Sequence, residues 1–66
     1  MMVITDGLRI GETYYFRFSI NGSCLNYTGV LLDFDEGFLK FKDKYGRILT
    51  YNLSCMLFFE EVKKDG

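Results

Sequence analysis

Hydrophobic and polar residues alternate along most of the chain with a period of two, the period that is typical of half-buried β-strands. The clearest example begins at Tyr14, after which every second residue as far as Ile20 is large and apolar. The same pattern predicts five strands, over residues 14–20, 24–34, 38–42, 48–53 and 57–62. The sequence contains no proline, which interrupts strands because it cannot donate a backbone hydrogen bond. We therefore predict an all-β chain.

Short segments rich in Asn, Asp and Gly separate the predicted strands, and these residues tolerate the conformations that turns require. Residues 54–56 leave room for only a single tight turn before the last strand. Gly29 lies in the middle of the second strand, where the missing side chain allows a sharp bend or the close approach of another backbone. These features predict a five-stranded, strongly bent antiparallel small barrel of the SH3-like or OB-like kind. The position of the tight turn favours the SH3-like form.

The 66 residues are enough for one small barrel domain, with residues 1–11 as a lead-in and residues 63–66 as a polar tail. Gly7 and Gly11 enclose only three residues, so we expect an N-terminal helix to be short or absent. A domain of this size buries a thin core and usually needs a disulfide, a metal or partner subunits for stability. Partner subunits are the option that the sequence favours.

The cysteines and the absence of histidine narrow the range of functions. Cys24 and Cys55 form no Cys-x-x-Cys unit, and without histidine we expect no structural metal. The first residues carry neither a basic region nor a long apolar stretch, so we expect no membrane span. A cytoplasmic location follows as an expectation, with both cysteines as buried thiols. No histidine is present to activate a serine, so we expect neither an enzyme nor a cofactor.

Residues 48–59 form a stretch of twelve without a single charge, and they make up most of the last two predicted strands. Sheet edges are usually guarded by lysine, proline or a bulge, and we expect no such guard here. Pairing with a second copy would cover this surface, and head-to-tail pairing gives a closed ring or a filament. The alternative is that these side chains fill the interior of a monomer. The candidate subunit-interface residues are Leu49, Tyr51, Leu53, Leu57, Phe58 and Phe59.

The net charge of −1 and a pI near 5.2 differ from the strongly basic composition that drives sequence-independent binding to nucleic acids. The distribution of charge is more informative. The acidic residues Asp33, Asp35 and Glu36 lie before or within the turn at residues 35–37. The basic residues that follow it, interrupted only by Asp43, are Lys40, Lys42, Lys44 and Arg47. These cations are candidates for contacts to phosphate groups. The alternative is that alternating lysines mark the solvent side of a strand.

Two motifs carry a resemblance to a known family. The first combines the bend glycine Gly29, the pair Phe34-Asp35 at a turn, and an alternating strand that ends in Asp43 before Gly46. The second covers residues 51–58, whose apolar residues lead into the last predicted strand. Together they resemble the motifs of the Sm and Sm-like family, including its bacterial Hfq branch. The resemblance implies a five-stranded barrel that assembles into a homo-oligomeric ring and binds single-stranded RNA.

In that family, an Asn after the Phe-Asp turn and a charged pair in the second motif line a pore site for a uracil-like base. Here Phe38 or Leu39 stands near the position of the Asn, and Tyr51-Asn52 or Asn52-Leu53 replaces the charged pair. Aromatic rings can stack on bases and an amide can bond a base edge, so these side chains can form a modified site. The candidate RNA-binding residues are Asp35, Phe38, Lys40, Lys42, Tyr51 and Asn52.

Two alternatives stand beside this hypothesis. Phe38 and Tyr51 are equally suited to packing in the core or at an interface. The ring, in turn, is equally suited to serve as a protein-interaction or scaffold module that binds no nucleic acid. In that case a peptide would add a strand to an edge that incomplete closure leaves free.

Overall fold

The five predicted strands are all present in a computed structural model, which describes residues 6–63 of the chain. The strands are β1 (Thr13–Ile20), β2 (Ser23–Phe34), β3 (Phe38–Asp43), β4 (Ile48–Asn52) and β5 (Met56–Glu61). Each strand begins and ends within one residue of its predicted position. A 3₁₀ turn at Leu53–Cys55 joins β4 to β5. Residues 1–5 of the predicted lead-in and 64–66 of the predicted tail lie outside the described residues.

The strands form one antiparallel sheet in the order β4-β3-β2-β1-β5, which confirms the all-β antiparallel prediction. The first four strands pair as successive hairpins, whereas β5 returns to the other side of the sheet and pairs with β1. The 3₁₀ turn makes this return and contacts both β1 and β3. β4 and β5 are therefore the two end strands, and across residues 6–63 the sheet does not close between them.

The core is formed by every second side chain of the strands, on the side that faces inward. In β1 the fully buried residues are Tyr14, Phe16 and Phe18. The ring of Phe41 in β3 packs against this row, with its centroid 5.0 Å from that of Phe16. Leu53 of the 3₁₀ turn belongs to the same cluster. Aromatic side chains each remove a large apolar area from water, which gives this short chain a dense core.

Gly29 marks the point where β2 changes its pairing partner. It lies opposite Tyr14 of β1 and opposite Asp43 of β3. A Cβ atom at this position would lie 2.5 Å from the carbonyl oxygen of Lys42 and 2.9 Å from Cδ2 of Phe41. Real Cβ atoms do not approach a backbone oxygen so closely, so only glycine fits here. The predicted close approach of another backbone is confirmed.

Residues 6–12 contain no helix, and they attach to the sheet through backbone hydrogen bonds to Leu31 of β2 as well as through side chains. Leu8 is buried in the core cluster. The hydroxyl of Tyr14 accepts a hydrogen bond from the backbone nitrogen of Arg9 at 2.7 Å and donates one to the carbonyl oxygen of Gly7 at 2.9 Å. These contacts satisfy the polar end of a fully buried tyrosine, which would otherwise destabilise the core.

The prediction of two buried thiols is wrong for Cys24, which is exposed, whereas Cys55 is half-buried against the core. Cys24 follows the turn at Asn21 and Gly22, where the backbone φ angles are 51° and 80°. Residues 21–24 are all exposed, because the tip of this hairpin extends beyond the core. Within residues 6–63, no group of three or more His, Cys, Asp or Glu side chains is placed to hold a metal ion.

Candidate nucleic-acid interface and subunit edges

Two corners of the chain meet at one end of the sheet. One is the turn between β2 and β3, and the other is the junction between β4 and the 3₁₀ turn. The backbone nitrogen of Leu53 donates a hydrogen bond to the carbonyl oxygen of Gly37 at 3.1 Å. Phe38 and Asn52 lie directly opposite each other in the β3–β4 ladder. We call the surface formed by Asp35, Phe38 and Asn52 the corner site, and it brings together residues from both sequence motifs.

Asp35 shapes the turn of the corner site. Its Oδ1 atom accepts hydrogen bonds from the backbone nitrogens of Gly37 at 2.7 Å and Phe38 at 3.2 Å. The backbone nitrogen of Asp35 donates in turn to the carbonyl oxygen of Phe38 at 3.0 Å. Aspartate commonly stabilises turns by bonding its own backbone in this way. The first contribution of Asp35 is therefore to hold Phe38 in place.

The outward side of β3 carries three of the predicted RNA-binding residues, Phe38, Lys40 and Lys42. Phe38 and Lys40 are half-buried and Lys42 is exposed, while the residues between them are fully buried. Across the ladder, Asn52 faces Phe38 and Thr50 faces Lys40. This outer face of β3 and β4 therefore combines an aromatic ring, an amide, a hydroxyl and two ammonium groups on one surface.

Tyr51 lies on the opposite side of β4, where it packs against the core. Its ring centroid is 4.7 Å from that of Phe18, and its hydroxyl oxygen is 2.7 Å from that of Tyr27. The hydrogen bond to Tyr27, together with burial, raises the pKa of Tyr51 to about 12. Tyr51 is therefore separate from the corner site. Of the two aromatic residues predicted to bind RNA, Phe38 and Tyr51, Phe38 alone lies there.

The predicted interface residues divide into two groups. Leu57 and Phe58 of β5 are 56% and 40% exposed. The other four pack against the core of their own subunit, and they are Leu49, Tyr51, Leu53 and Phe59. Ile48 of β4, which is not among the predicted interface residues, is 62% exposed. The signal for Ile48 was the period of two itself, because Ile48 and Thr50 must face outward if Leu49 and Tyr51 face the core.

The expectation of wholly unguarded edges is wrong for β5. The pairing of β1 with β5 shifts register between Arg17 and Phe18, opposite Phe58 and Met56, which leaves Leu57 as an extra residue in β5. Such a bulge twists an edge strand and is one of the usual devices that limit edge pairing. β4 contains no charged residue, no proline and no bulge in its pairing with β3. The two free edges therefore differ in character.

The turn between β3 and β4 begins at a buried acid, Asp43, which the sequence identified as the end of a strand but not as a buried residue. Oδ1 of Asp43 accepts hydrogen bonds from the backbone nitrogens of Tyr45 at 3.0 Å and Arg47 at 2.8 Å. Its Oδ2 atom accepts one from Nε of Arg47 at 2.7 Å. Burial by itself raises the pKa of Asp43, but the hydrogen bonds from Arg47 and Tyr45 outweigh burial and hold that pKa below its ordinary value.

No protein-family model, no curated protein and no solved structure matches this chain. The resemblance to the Sm-like family is therefore carried by the two sequence motifs. Ring assembly and RNA binding are therefore proposals, which are argued from the geometry of residues 6–63.

The lowered pKa of Asp43 predicts a specific dependence of stability on pH. Because the folded-state pKa lies below the ordinary value of 3.8, the stabilisation by Asp43 is complete above that value and is lost as the pH falls through the folded-state pKa. Asp43→Asn removes the charge and the acceptor for Nε of Arg47, so we expect a lower melting temperature at neutral pH. Melting curves from about pH 7 to about pH 2 should show the difference shrinking in acid.

The exposed Glu36 supplies the control for this experiment, since Glu36→Gln changes the net charge by the same amount without touching the buried turn. A difference between Asp43→Asn and the parent protein that stayed constant down to the lowest pH would contradict the ion pair with Arg47.

Proposed function

We propose that the chain is an SH3-like, Sm-like barrel that assembles head to tail into a homo-oligomeric ring and binds single-stranded RNA at the corner site. The observation that carries the proposal is the pairing of Phe38 with Asn52, where the segments of the two motifs are joined by the hydrogen bond from Leu53 to Gly37. The strand order and the 3₁₀ turn before β5 support the SH3-like form. A cytoplasmic location is part of the same proposal.

The corner site offers two of the contacts by which proteins recognise unpaired bases. The half-buried ring of Phe38 presents an aromatic surface on which a base can stack, a contact worth about 1–3 kcal/mol. The exposed amide of Asn52 has both a donor and an acceptor for the edge of that base. Together they would replace the Asn and the charged pair that the Sm-like family uses at this place.

Two lysines extend the corner site toward the phosphate backbone. Lys40 and Lys42 lie on the same face as Phe38, one and two steps further along β3. Each phosphate contact on a single strand releases counterions and adds about 0.7 to the slope of log affinity against log salt. Asp33 lies opposite Lys40 in the β2–β3 ladder and reduces the local positive potential. We therefore expect binding that is weak per subunit and strongest at low salt.

Replacing Phe38 with leucine is expected to weaken the binding of oligo-U or oligo-A about tenfold, because leucine preserves apolar packing but has no aromatic face. Fluorescence anisotropy of a labelled oligonucleotide at low salt measures this change. Phe38→Tyr keeps the ring and is the matched control, for which we expect affinity near that of the parent protein. If the parent protein binds neither oligonucleotide at low salt, the RNA-binding proposal is wrong.

The free edge of β4 supports a second candidate function, a ring or barrel that serves as a scaffold for proteins. A peptide could add a strand beside β4, where the apolar side chain of Ile48 is exposed. The same anisotropy experiment separates the two candidates. A protein that forms oligomers but binds no oligonucleotide at any salt concentration would favour the scaffold.

A further inference from the structure

A second surface on the molecule has the chemistry of a ligand site and shares no residue with the corner site. It is a depression of about 270 Å³ between the β3–β4 turn and the adjoining parts of β1 and β2. We call it the turn depression. Its lining includes Tyr15, Asn26, Thr28, Lys44, Tyr45 and Arg47.

The most unusual member of the turn depression is Tyr45, a residue that is 72% exposed at the tip of the turn. Two cations lie near its ring, with Nζ of Lys44 at 5.3 Å and Cζ of Arg47 at 5.4 Å from the centroid. An aromatic ring attracts cations to its π-surface, so these contacts keep the two positive groups close to Tyr45. The turn therefore presents an aromatic surface and two cations at the mouth of the depression.

The guanidinium of Arg47 is anchored by its Nε atom. Its Nε atom donates to Oδ2 of Asp43 at 2.7 Å, and within residues 6–63 its terminal amino groups make no hydrogen bond. Asp43 also lines the depression, but both of its oxygens are engaged by the turn. The terminal amino groups of an oriented guanidinium form the fork that binds phosphate oxygens in pairs.

The opposite wall supplies an aromatic ring and polar groups. Tyr15 and Thr28 face each other across the β1–β2 ladder, as do Arg17 and Asn26. Oδ1 of Asn26 accepts a hydrogen bond from Nε of Arg17 at 3.0 Å, which leaves the two N–H donors of that amide for a ligand. The depression thus combines aromatic surfaces, hydrogen-bonding groups and two cations.

We propose that the turn depression binds a nucleotide, with the base against Tyr45 and the phosphate at Arg47 and Lys44. Simple phosphate would make no use of the aromatic rings, and an uncharged aromatic compound would make no use of the cations. A nucleotide carries both a stacking surface and an anion. The nucleotide is either a free monophosphate or one unit of a single-stranded RNA, and both present the same chemistry to these residues.

Two glycine amides serve as local reporters in a nuclear magnetic resonance titration of the full chain. Gly46 lies in the β3–β4 turn, where its nitrogen donates to the carbonyl oxygen of Asp43 at 3.0 Å. Gly37 lies at the corner site, where its nitrogen donates to Asp35. The probes are AMP, UMP, adenosine, inorganic phosphate and a short oligo-U. We expect AMP or UMP to move the Gly46 signal further than adenosine or phosphate does.

Tyr45→Leu is expected to weaken this response about tenfold, since it removes the stacking surface. The variant should fold normally because the side chain is largely exposed. Tyr45→Phe retains the ring and should bind like the parent protein. Lys44→Gln removes one of the two cations proposed to bind the phosphate, so it is also expected to weaken the response. Lys63→Gln is its control, because it too removes one exposed ammonium group and Lys63 does not line the depression.

The outcomes separate this proposal from RNA binding at the corner site. Movement of Gly46 with AMP or UMP assigns the site to a free nucleotide, and movement with oligo-U alone assigns it to a strand. An equal response to phosphate, unchanged in Tyr45→Leu, overturns the nucleotide site in favour of a plain anion site. A shift of the Gly37 signal without a shift of the Gly46 signal also overturns the nucleotide site, and it supports the corner site. Movement of Gly46 by mononucleotides, with no binding of the oligonucleotide, supports it and overturns RNA binding.

Discussion

Replacing Gly29 with alanine is expected to destabilise the protein by about 3 kcal/mol or more, the upper range for inserting a methyl group into a packed core. The added Cβ would lie 2.5 Å from the carbonyl oxygen of Lys42, and a backbone atom cannot rotate away as the end of a side chain can. The total stability of a domain of this size is on the order of 3 to 10 kcal/mol. Urea denaturation followed by circular dichroism should show a greatly lowered midpoint or an unfolded chain.

Gly37 provides the matched control, because Gly37→Ala adds the same methyl group in the turn between β2 and β3. The nearest atom to that Cβ is Oδ1 of Asp35 at 3.7 Å, an ordinary van der Waals contact. We therefore expect Gly37→Ala to change the stability by less than about 1 kcal/mol. Equal stability of the two variants would show that β2 and β3 do not approach each other at Gly29 as closely as described.

Much of the fold follows from the period of two in the sequence. In β1 the inward residues are aromatic and the outward ones include Arg17 and Ser19, so one face is clearly apolar and the strand is unambiguous. The role of Gly29 was also predictable, because a glycine inside a strand usually marks a bend or a close approach. Such local rules succeed where neighbouring residues differ strongly in polarity.

The direction of the side chains in β4 was harder to predict, because neighbouring residues in this strand differ little in polarity. Ile48 and Leu49 are both apolar, so the alternation does not state which of them faces inward. The answer comes from the ladder with β3, in which Leu49 lies opposite the buried Phe41 and Tyr51 lies opposite the buried Leu39. The assignment of Tyr51 to the core therefore depends on pairing between strands, which periodicity within one strand does not specify.

The turn depression was beyond prediction from local sequence. Its walls come from the β1–β2 hairpin and from the β3–β4 turn, and they meet because β2 pairs with both β1 and β3 at Gly29. The segment from Asp43 to Gly46 was recognised as a turn, but the burial of Asp43 depends on Arg47 folding back onto its carboxylate. A charged residue is buried only with such a partner, and that partner is identified by structure.

Replacing Ile48 with lysine is expected to convert the proposed ring into monomers and to reduce its affinity for RNA by about 10²–10⁴. Ile48 is 62% exposed on the free edge of β4, so the fold of a single subunit should tolerate the change. Lysine on an edge strand opposes pairing with another strand. The loss of RNA affinity follows because a ring binds one strand through several weak sites at once. Native mass spectrometry and anisotropy with oligo-U measure the two effects.

Ile10→Lys is the matched control, because Ile10 is 61% exposed but lies in the lead-in and belongs to neither edge strand. We expect Ile10→Lys to remain oligomeric and to bind RNA like the parent protein. If Ile10→Lys and Ile48→Lys behave alike, the effect comes from the added charge and the edge of β4 is not an interface. A parent protein that is monomeric in dilute solution would also contradict ring assembly.

Leu57→Lys on β5 tests whether the pairing is head to tail. In a head-to-tail ring, β4 of one subunit pairs with β5 of the next, so either lysine variant alone should be monomeric. An equimolar mixture of Ile48→Lys and Leu57→Lys should form heterodimers, since each variant retains the edge that the other lacks. If β4 instead pairs with β4, Leu57→Lys alone would still dimerise and the mixture would form no heterodimer. The bulge at Leu57 then acts as a guard against pairing, and the ring model fails while the fold of the single subunit stands.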